Sequence, residues 1–395
     1  MSLVFKELGE LVDFKGGGTP SRNVEEYWGN SIPWATVKDL NEGITLTETQ
    51  EFISELGLKN SASNLIAKGT IIIPTRMALG KVVISEIDVA INQDLKAVFV
   101  KDKETLDVKY LLRFLESNKE NIASMGKGAT VKGITLDQLK AIKIPLQPLA
   151  EQRRIASILD QADELRQKRQ QAIEKLDQLL QATFIDMFGD PVSNPKGWRS
   201  DKNLGDVADI VSGITKGRKI TGKSLREIPY LAVSNVQDKY LNLSIIKTIE
   251  ASDDEIKRYK LRQGDLLLTE GGDPDKLGRG TLWNNEVDEC IHQNHVFRVR
   301  LTSKEFTPNY LNWIIGSEYG KRYFLKSAKQ TTGIASINMG QLKKLPLLIP
   351  PINLQIQFDE RCIKIHQIKN KLVDSCKDIN NLFSSLQNQA FSGTL

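Results

Sequence analysis

The chain has 395 residues, 40% of them hydrophobic, and a formal net charge of +5. That length predicts two or three domains, each with its own core, and three cysteines are too few for a disulfide framework. No window of about 18 apolar residues occurs and no charged-then-apolar leader opens the chain, so a soluble intracellular protein is expected; the charge permits a polyanionic partner without demanding one.

In chain order, the sequence repeats itself. Leu8-Gly9 returns as Leu204-Gly205, and Ile32-Pro33-Trp34 as Ile228-Pro229-Tyr230, both 196 positions on. Lys109-Tyr110-Leu111-Leu112 answers to Asn309-Tyr310-Leu311-Asn312 at 200, and Gln138-Leu139-Lys140 to Gln341-Leu342-Lys343 at 203. Ile144-Pro145 answers to Ile349-Pro350 at 205. A repeat of roughly 200 residues is a whole domain with an appendage, far above a solenoid period. Each unit opens with short β-branched and apolar runs broken by glycine: Thr70 to Pro74, Lys81 to Ile84 and Ala97 to Val100, then Asp265 to Thr269 and His295 to Val299. These predict strands of a mixed α+β domain, interrupted by helices at Val108 to Ser117 and Pro308 to Ser317.

Prolines at 145 and 148, and again at 350 and 351, mark the entry to a long helix, because proline fits a first turn. The expected division is a globular domain at 1–147, a long helix at 148–190, a second globular domain at 191–349 and a second long helix at 350–395. In the first helix Ile155, Ile158, Ala162, Leu165, Ala172, Leu176 and Leu179 recur at three and four, with Arg169 the polar intruder, and Gly189-Asp190-Pro191 stops the run. In the second, Phe358, Ile365, Leu372, Ile379 and Leu386 recur every seven residues, with Ile368 and Leu382 between them. Cys362 and Cys376 fall inside that pattern as small buried thiols. Two such helices predict an antiparallel coiled coil roughly 50 Å long, a ruler between two similar domains; the alternative is that each helix packs on its own domain. Ala390-Phe391-Ser392-Gly393 matches Met187-Phe188-Gly189, so the chain ends where its first unit would hand over to the second. The whole reads as a pseudo-twofold tandem duplication.

Gly217 to Ser224 fits the phosphate-binding pattern G-x4-G-K-[ST], but Pro229 follows too soon for the helix that pattern requires. Cys290, His292 and His295 lie in a strand pattern that turns the two histidines to opposite faces, and no second pair completes a metal site. Ile91-Asn92-Gln93-Asp94 corresponds to Ile291-His292-Gln293-Asn294, with the paired donors and acceptors that can read base edges, or a plain polar strand end. Glycine-rich loops with basic and hydroxyl residues recur at Lys15 to Arg22 and Ser212 to Lys219; such loops suit phosphate contacts, or are tight turns. Leu79-Gly80-Lys81 and Leu277-Gly278-Arg279 keep one pattern in both units, and Lys127 and Lys132 have a counterpart in Lys329. No motif for base methylation, cofactor binding or nuclease chemistry appears. The pattern points to a reader, with no catalytic residues and no metal.

The run from Gly133 to Gln152, followed by Arg153-Arg154-Ile155 and the long helix to Phe188-Gly189-Asp190-Pro191, resembles the specificity subunit of type I restriction–modification systems. A cousin at Ser336 to Gln357 is collinear but departs from the phrase between Pro351 and Gln357. The resemblance implies two target-recognition domains, each reading one half of a split double-stranded DNA site, separated by a coiled coil. It also implies two methyltransferase subunits docked on the helices and restriction/translocase subunits in a full complex. S-adenosylmethionine, ATP and Mg would then sit on those partners and no cofactor on this chain, in a prokaryotic, cytoplasmic, nucleoid-associated setting. The expected DNA-contacting residues of the first domain are Lys15, Gly17, Thr19, Ser21, Arg22, Lys38, Arg76, Lys81, Asn92, Gln93, Lys127, Thr130 and Lys132. Those of the second are Thr215, Lys216, Arg218, Lys219, Asn235, Arg279, His292, Gln293, Asn294, Lys329 and Ser336.

Overall fold

The computed structural model describes residues 3–40, 43–128, 132–218, 224–272, 277–331 and 334–395. The chain divides into two compact units, one of Met1–Gln171 with Val373–Leu395 and one of Ala172–Leu372. The long helices run from Leu149 to Phe188 and from Ile352 to Ser392. Each unit therefore takes part of both helices, where the sequence reading gave each helix a segment of its own.

In the first unit five strands are ordered Val12–Gly16, Leu95–Val100, Ile71–Pro74, Val83–Ser85, Thr45–Leu46, antiparallel except for the last pair. Ile71, Ile72 and Ile73 are all buried because both faces of this sheet are covered. Ile72, with Leu95 and Ala97, faces a second sheet of Glu51–Ile53, Trp28–Ala35, Val89–Ile91 and Leu65–Ile66. Ile71 and Ile73 face the helix Val108–Ser117 and, from the long helices, Ile155, Leu159, Phe383 and Ala390. The second unit repeats the plan with Ala208–Ser212, Val296–Leu301, Leu266–Thr269 and Gly280–Leu282. There Leu267 faces Leu231 and Trp283, while Leu266 and Leu268 face the side of Phe184, Tyr310 and Phe358.

Two close approaches fix how the repeats correspond. A Cβ on Gly17 would lie 1.8 Å from the carbonyl oxygen of Ile91, and one on Gly213 would lie 1.9 Å from that of His292. Only glycine fits either place. Ile91 therefore answers to His292, and Asn92 to Gln293, one position away from the pairing read off the sequence. The shared Gln and Ile of the two strings are a coincidence of neighbours.

The entries to the long helices correct a second pairing. The Tyr110 hydroxyl donates to Pro145 O at 2.7 Å, and that of Tyr310 to Leu348 O at 2.9 Å. Gln152 accepts from the Asp107 N–H and donates to the carbonyls of Thr105 and Gln147. Gln355 accepts from the Thr307 N–H and donates to those of Glu305 and Pro350. Both glutamines are fully buried. The offset here is 203, so strand Lys143–Leu146 answers to Pro346–Ile349 and the match of Ile144-Pro145 with Ile349-Pro350 is replaced. Gln355→Leu strands one N–H and two carbonyls at about 1–3 kcal/mol each. Urea unfolding should show the second unit losing at least about 3 kcal/mol, with the same loss in the first unit for Gln152→Leu.

The helix seam also differs from an apolar count. In the first unit the first long helix presents Ile155, Leu159, Ala162, Arg166 and Arg169 against Cys376, Ile379, Phe383, Leu386 and Ala390 of the second. In the second unit Ile173, Leu176, Leu180, Phe184 and Met187 belong to the same series, with Phe358, Cys362, Ile365, Lys369 and Leu372 opposite. Ile158 is half-buried beside the seam, and Leu165 and Leu179 are exposed, as are Ile368 and Leu382. The stems of Arg166 and Lys369, with Leu180 and Phe383, fill the places assigned to them, and the charged heads lead out to partners. The Arg166 guanidinium lies 4.4 Å over the Phe383 ring, Arg169 donates to Ser375 Oγ, and Lys369 donates to Asp177 at 2.6 Å. Within each unit the start of one helix meets the end of the other, so the pairing is antiparallel. Phe188 packs 4.8 Å from Tyr310, and Phe391 packs 5.4 Å from both Tyr110 and Phe114. Glycines with positive φ, Gly189 at +79° and Gly393 at +78°, follow the two helix ends.

Candidate nucleic-acid interface

In the first unit three separate loops converge. Arg76 and Lys127 both bridge to Gly133, and the Met77 N–H reaches Lys132 O at 3.4 Å. They frame a cleft of ≈ 670 Å³ lined by Arg76, Gln93, Asp94, Lys96, Lys127 and Gln138 among others. The glycine-rich loop joins it, since Thr19 Oγ1 donates to Gln93 Oε1 at 2.5 Å. Lys96, missed by the sequence reading inside an apolar strand, donates to Gln93 O at 2.9 Å. Partial burial pulls its pKa down and Arg76 adds to that, while Asp94 opposes it.

Other expected contact residues are placed elsewhere or already engaged. Arg22 grips Glu51 through two hydrogen bonds, at 2.6 and 2.8 Å, and lies 3.7 Å over the Trp28 ring. Lys81 donates to Leu40 O, and Asn92 is buried with its Oδ1 on the Asp94 N–H. Lys15, Ser21, Lys38 and Lys132 are exposed, and Gly17 is spent on its turn. Thr130 and Lys219 lie outside the described residues, as do Gly222 and Lys223. The strand Arg226–Leu231 follows directly, in place of the helix a phosphate-binding loop needs.

The second unit builds the same cluster from different side chains. Gly271 pairs with Ser336 as Arg76 does with Gly133, and Lys329 pairs with Ser336 as Lys127 does with Gly133. By the Gly213 register, Gln93 answers to Asn294 and Asp94 to His295. His295 is exposed and its Nδ1 lies 2.6 Å from Glu270 Oε2. His292 is fully buried, its Nδ1 on Val296 O at 2.7 Å, and its Nε2 has no partner among the described residues. It faces inward because it fills the place of Ile91. Asn235 is buried on the Ala232 N–H and two carbonyls. Arg218 is held by Glu255 at 2.6 and 2.9 Å, which draws that carboxyl down to about 2. Thr215 and Lys216 are exposed, the latter 5.2 Å over Tyr230. Arg279 reaches Gln237 at 3.1 Å in a separate cleft of ≈ 270 Å³. Among the described residues no group of His, Cys, Asp and Glu could hold a metal, and no helix is long and apolar enough to cross a membrane.

The family model described as "Type I restriction modification DNA specificity domain" matches the chain twice, over residues 3–175 and 195–372. The chain belongs to that family. It is a specificity subunit with two target-recognition domains. The MjaIX specificity subunit of Methanocaldococcus jannaschii is 29% identical over 402 residues, covering 95% of this chain and 88% of that protein. The Escherichia coli EcoR124I/EcoR124II specificity subunit is 38% identical over 169 residues, 41% of each chain. The crystal structure of a type I S subunit from M. genitalium superposes with a TM-score of 0.56 at 15% identity, over 99% of this chain and 96% of the other. A chain from a study of assembly and conformational transition of the type I R-M system gives 0.59 at 16%, over 100% and 98%. Both show the shared fold.

Proposed function

We propose that this specificity subunit reads DNA without catalysing chemistry, each target-recognition domain taking one half of a split duplex site. The observation that carries the reading is the cluster built twice on one backbone plan, with Arg76, Gln93 and Asp94 in one copy and Gly271, Asn294 and His295 in the other. One plan with two sets of donors and acceptors suits two different half-sites. Exposed lysines at equivalent places, Lys127 and Lys329, suit phosphates, which set register and carry no sequence information. The long helices would set the spacer and dock two methyltransferase subunits, with restriction subunits added in a full complex. S-adenosylmethionine, ATP and Mg belong to those partners in this reading, and the setting is the prokaryotic cytoplasm.

Single-molecule methylation mapping of cells carrying this subunit and its methyltransferase should return a split motif. Exchanging residues 1–147 for those of another specificity subunit should alter one half alone. Seven residues added to each long helix should lengthen the spacer and leave both halves intact; an unchanged spacer would sink the ruler.

A further inference from the structure

We propose that Arg76 and Asp94 of the first target-recognition domain together read a G·C base pair in the major groove, with Gln93 addressing the adjoining base. This rests on the reading of the chain as a DNA reader. The Arg76 side chain is 67% exposed, and its ion-pair contact, with Asp94, is 3.9 Å long, beyond hydrogen-bonding distance. Among the described residues nothing takes a hydrogen bond from its guanidinium, unlike that of Arg22. The bridge to Gly133 fixes the loop that carries it.

Asp94 is held from both sides. Its N–H donates to Asn92 Oδ1 at 3.1 Å, and its carbonyl accepts from the Thr75 N–H at 2.7 Å and the Thr75 hydroxyl at 3.1 Å. Its carboxylate accepts no hydrogen bond from the described residues and stays partly exposed at 19%. A carboxylate is the wrong group for a phosphate, which it repels. It suits a base amino group, because an ionised carboxylate is an acceptor only.

The pair of groups selects the base pair. In the major groove guanine offers two acceptors, N7 and O6, to a guanidinium, and its cytosine offers the N4 amino donor to a carboxylate. An A·T pair offers adenine one acceptor and one donor, and so cannot take both N–H groups of an arginine fork. Gln93 stands beside them with its oxygen accepting from Thr19, which leaves the amide nitrogen as the donor without a partner among the described residues. Lys127 lines the same cleft and faces solvent, as a phosphate contact should. In the second domain the equivalent places hold Gly271 and a His295 tied to Glu270, so this pairing is confined to one half-site.

The test is methylation mapping of the assembled complex with Arg76→Ala, Asp94→Asn and Lys127→Ala. The first two should relax a single G·C pair within the half-site that responds to exchange of residues 1–147. Methylation of sites with another base there should rise roughly 10- to 100-fold relative to the cognate site, with the other half unchanged. Lys127→Ala should lower methylation of all sites alike. If Arg76→Ala and Asp94→Asn instead lower methylation uniformly with the motif intact, they contact phosphate or support the loop, and the proposal is overturned. Relaxation at an A·T pair overturns it as well. A wild-type complex that methylates no split motif overturns the underlying reading along with it.

Discussion

A chain ended at Leu372 should lose the fold of its first unit and keep that of its second. The segment removed supplies Phe383 and Ala390 to the first unit's core, with Leu386 and Phe391 packed against them. Phe391 also caps the Tyr110 and Phe114 rings. Large buried side chains deleted from a core cost roughly 2–5 kcal/mol each. Three of them together approach the whole stability of a domain, about 5–15 kcal/mol. The second unit's core cluster takes no residue from the removed segment. Hydrogen exchange should therefore report lost protection in strands Ile71–Pro74 and Leu95–Val100, with Leu266–Thr269 still protected. A peptide of residues 373–395 added in trans should restore it. Full protection in the shortened chain would show that the first domain does not depend on the end of the second helix.

Acid should weaken the second unit selectively, by about 3 kcal/mol between pH 7 and pH 4. Burial drives the His292 pKa from 6.5 down to about 4; Arg298 and Arg300 push the same way, and the Val296 carbonyl and Asp265 oppose them. The unfolded chain takes up a proton near pH 6.5, and the folded chain refuses it until about pH 4. Stability from the neutral ring is therefore complete above pH 6.5 and is lost as pH falls through that window. His292→Ile installs the residue that the first unit carries at the same place, Ile91. Thermal melts of the two proteins at pH 7 and pH 4.5 decide the matter. The variant should show the smaller acid loss, and equal losses would assign the effect to carboxylates elsewhere.

The duplication, the strands and both long helices were legible because they rest on local signals: a continuous β-branched run in Ile71–Pro74, proline at each helix entry, glycine after each end. What failed was fine register. Counting only apolar residues skipped Arg166 and Lys369 and set Arg169 down as an intruder, though all three lie in the seam, and drew in Leu165, Leu179, Ile368 and Leu382, which face water. The two misaligned pairings each came from repeated residue types one or two places off, Gln93 against Gln293 and Ile144-Pro145 against Ile349-Pro350. Only long-range contacts, such as the Gly17 approach to Ile91 and the hydrogen bonds of Gln355, correct them. The gathering of Arg76, Gln93, Asp94 and Lys127 at one cleft was likewise beyond a linear reading, since their loops are joined by contacts between residues far apart in the chain, the bridges at Gly133 and the Thr75 N–H on Asp94 O among them.

The polar pairs inside the helix seam have a consequence for assembly. A seam of interchangeable apolar residues can slip by a heptad at little cost, and nothing in it tells the right alignment from the wrong one. Arg169 with Ser375 and Lys369 with Asp177 set one alignment apart from the others, because each pair is lost when the helices slip. Each unit carries its own tooth of this kind, so the alignment of the helices is marked separately in each.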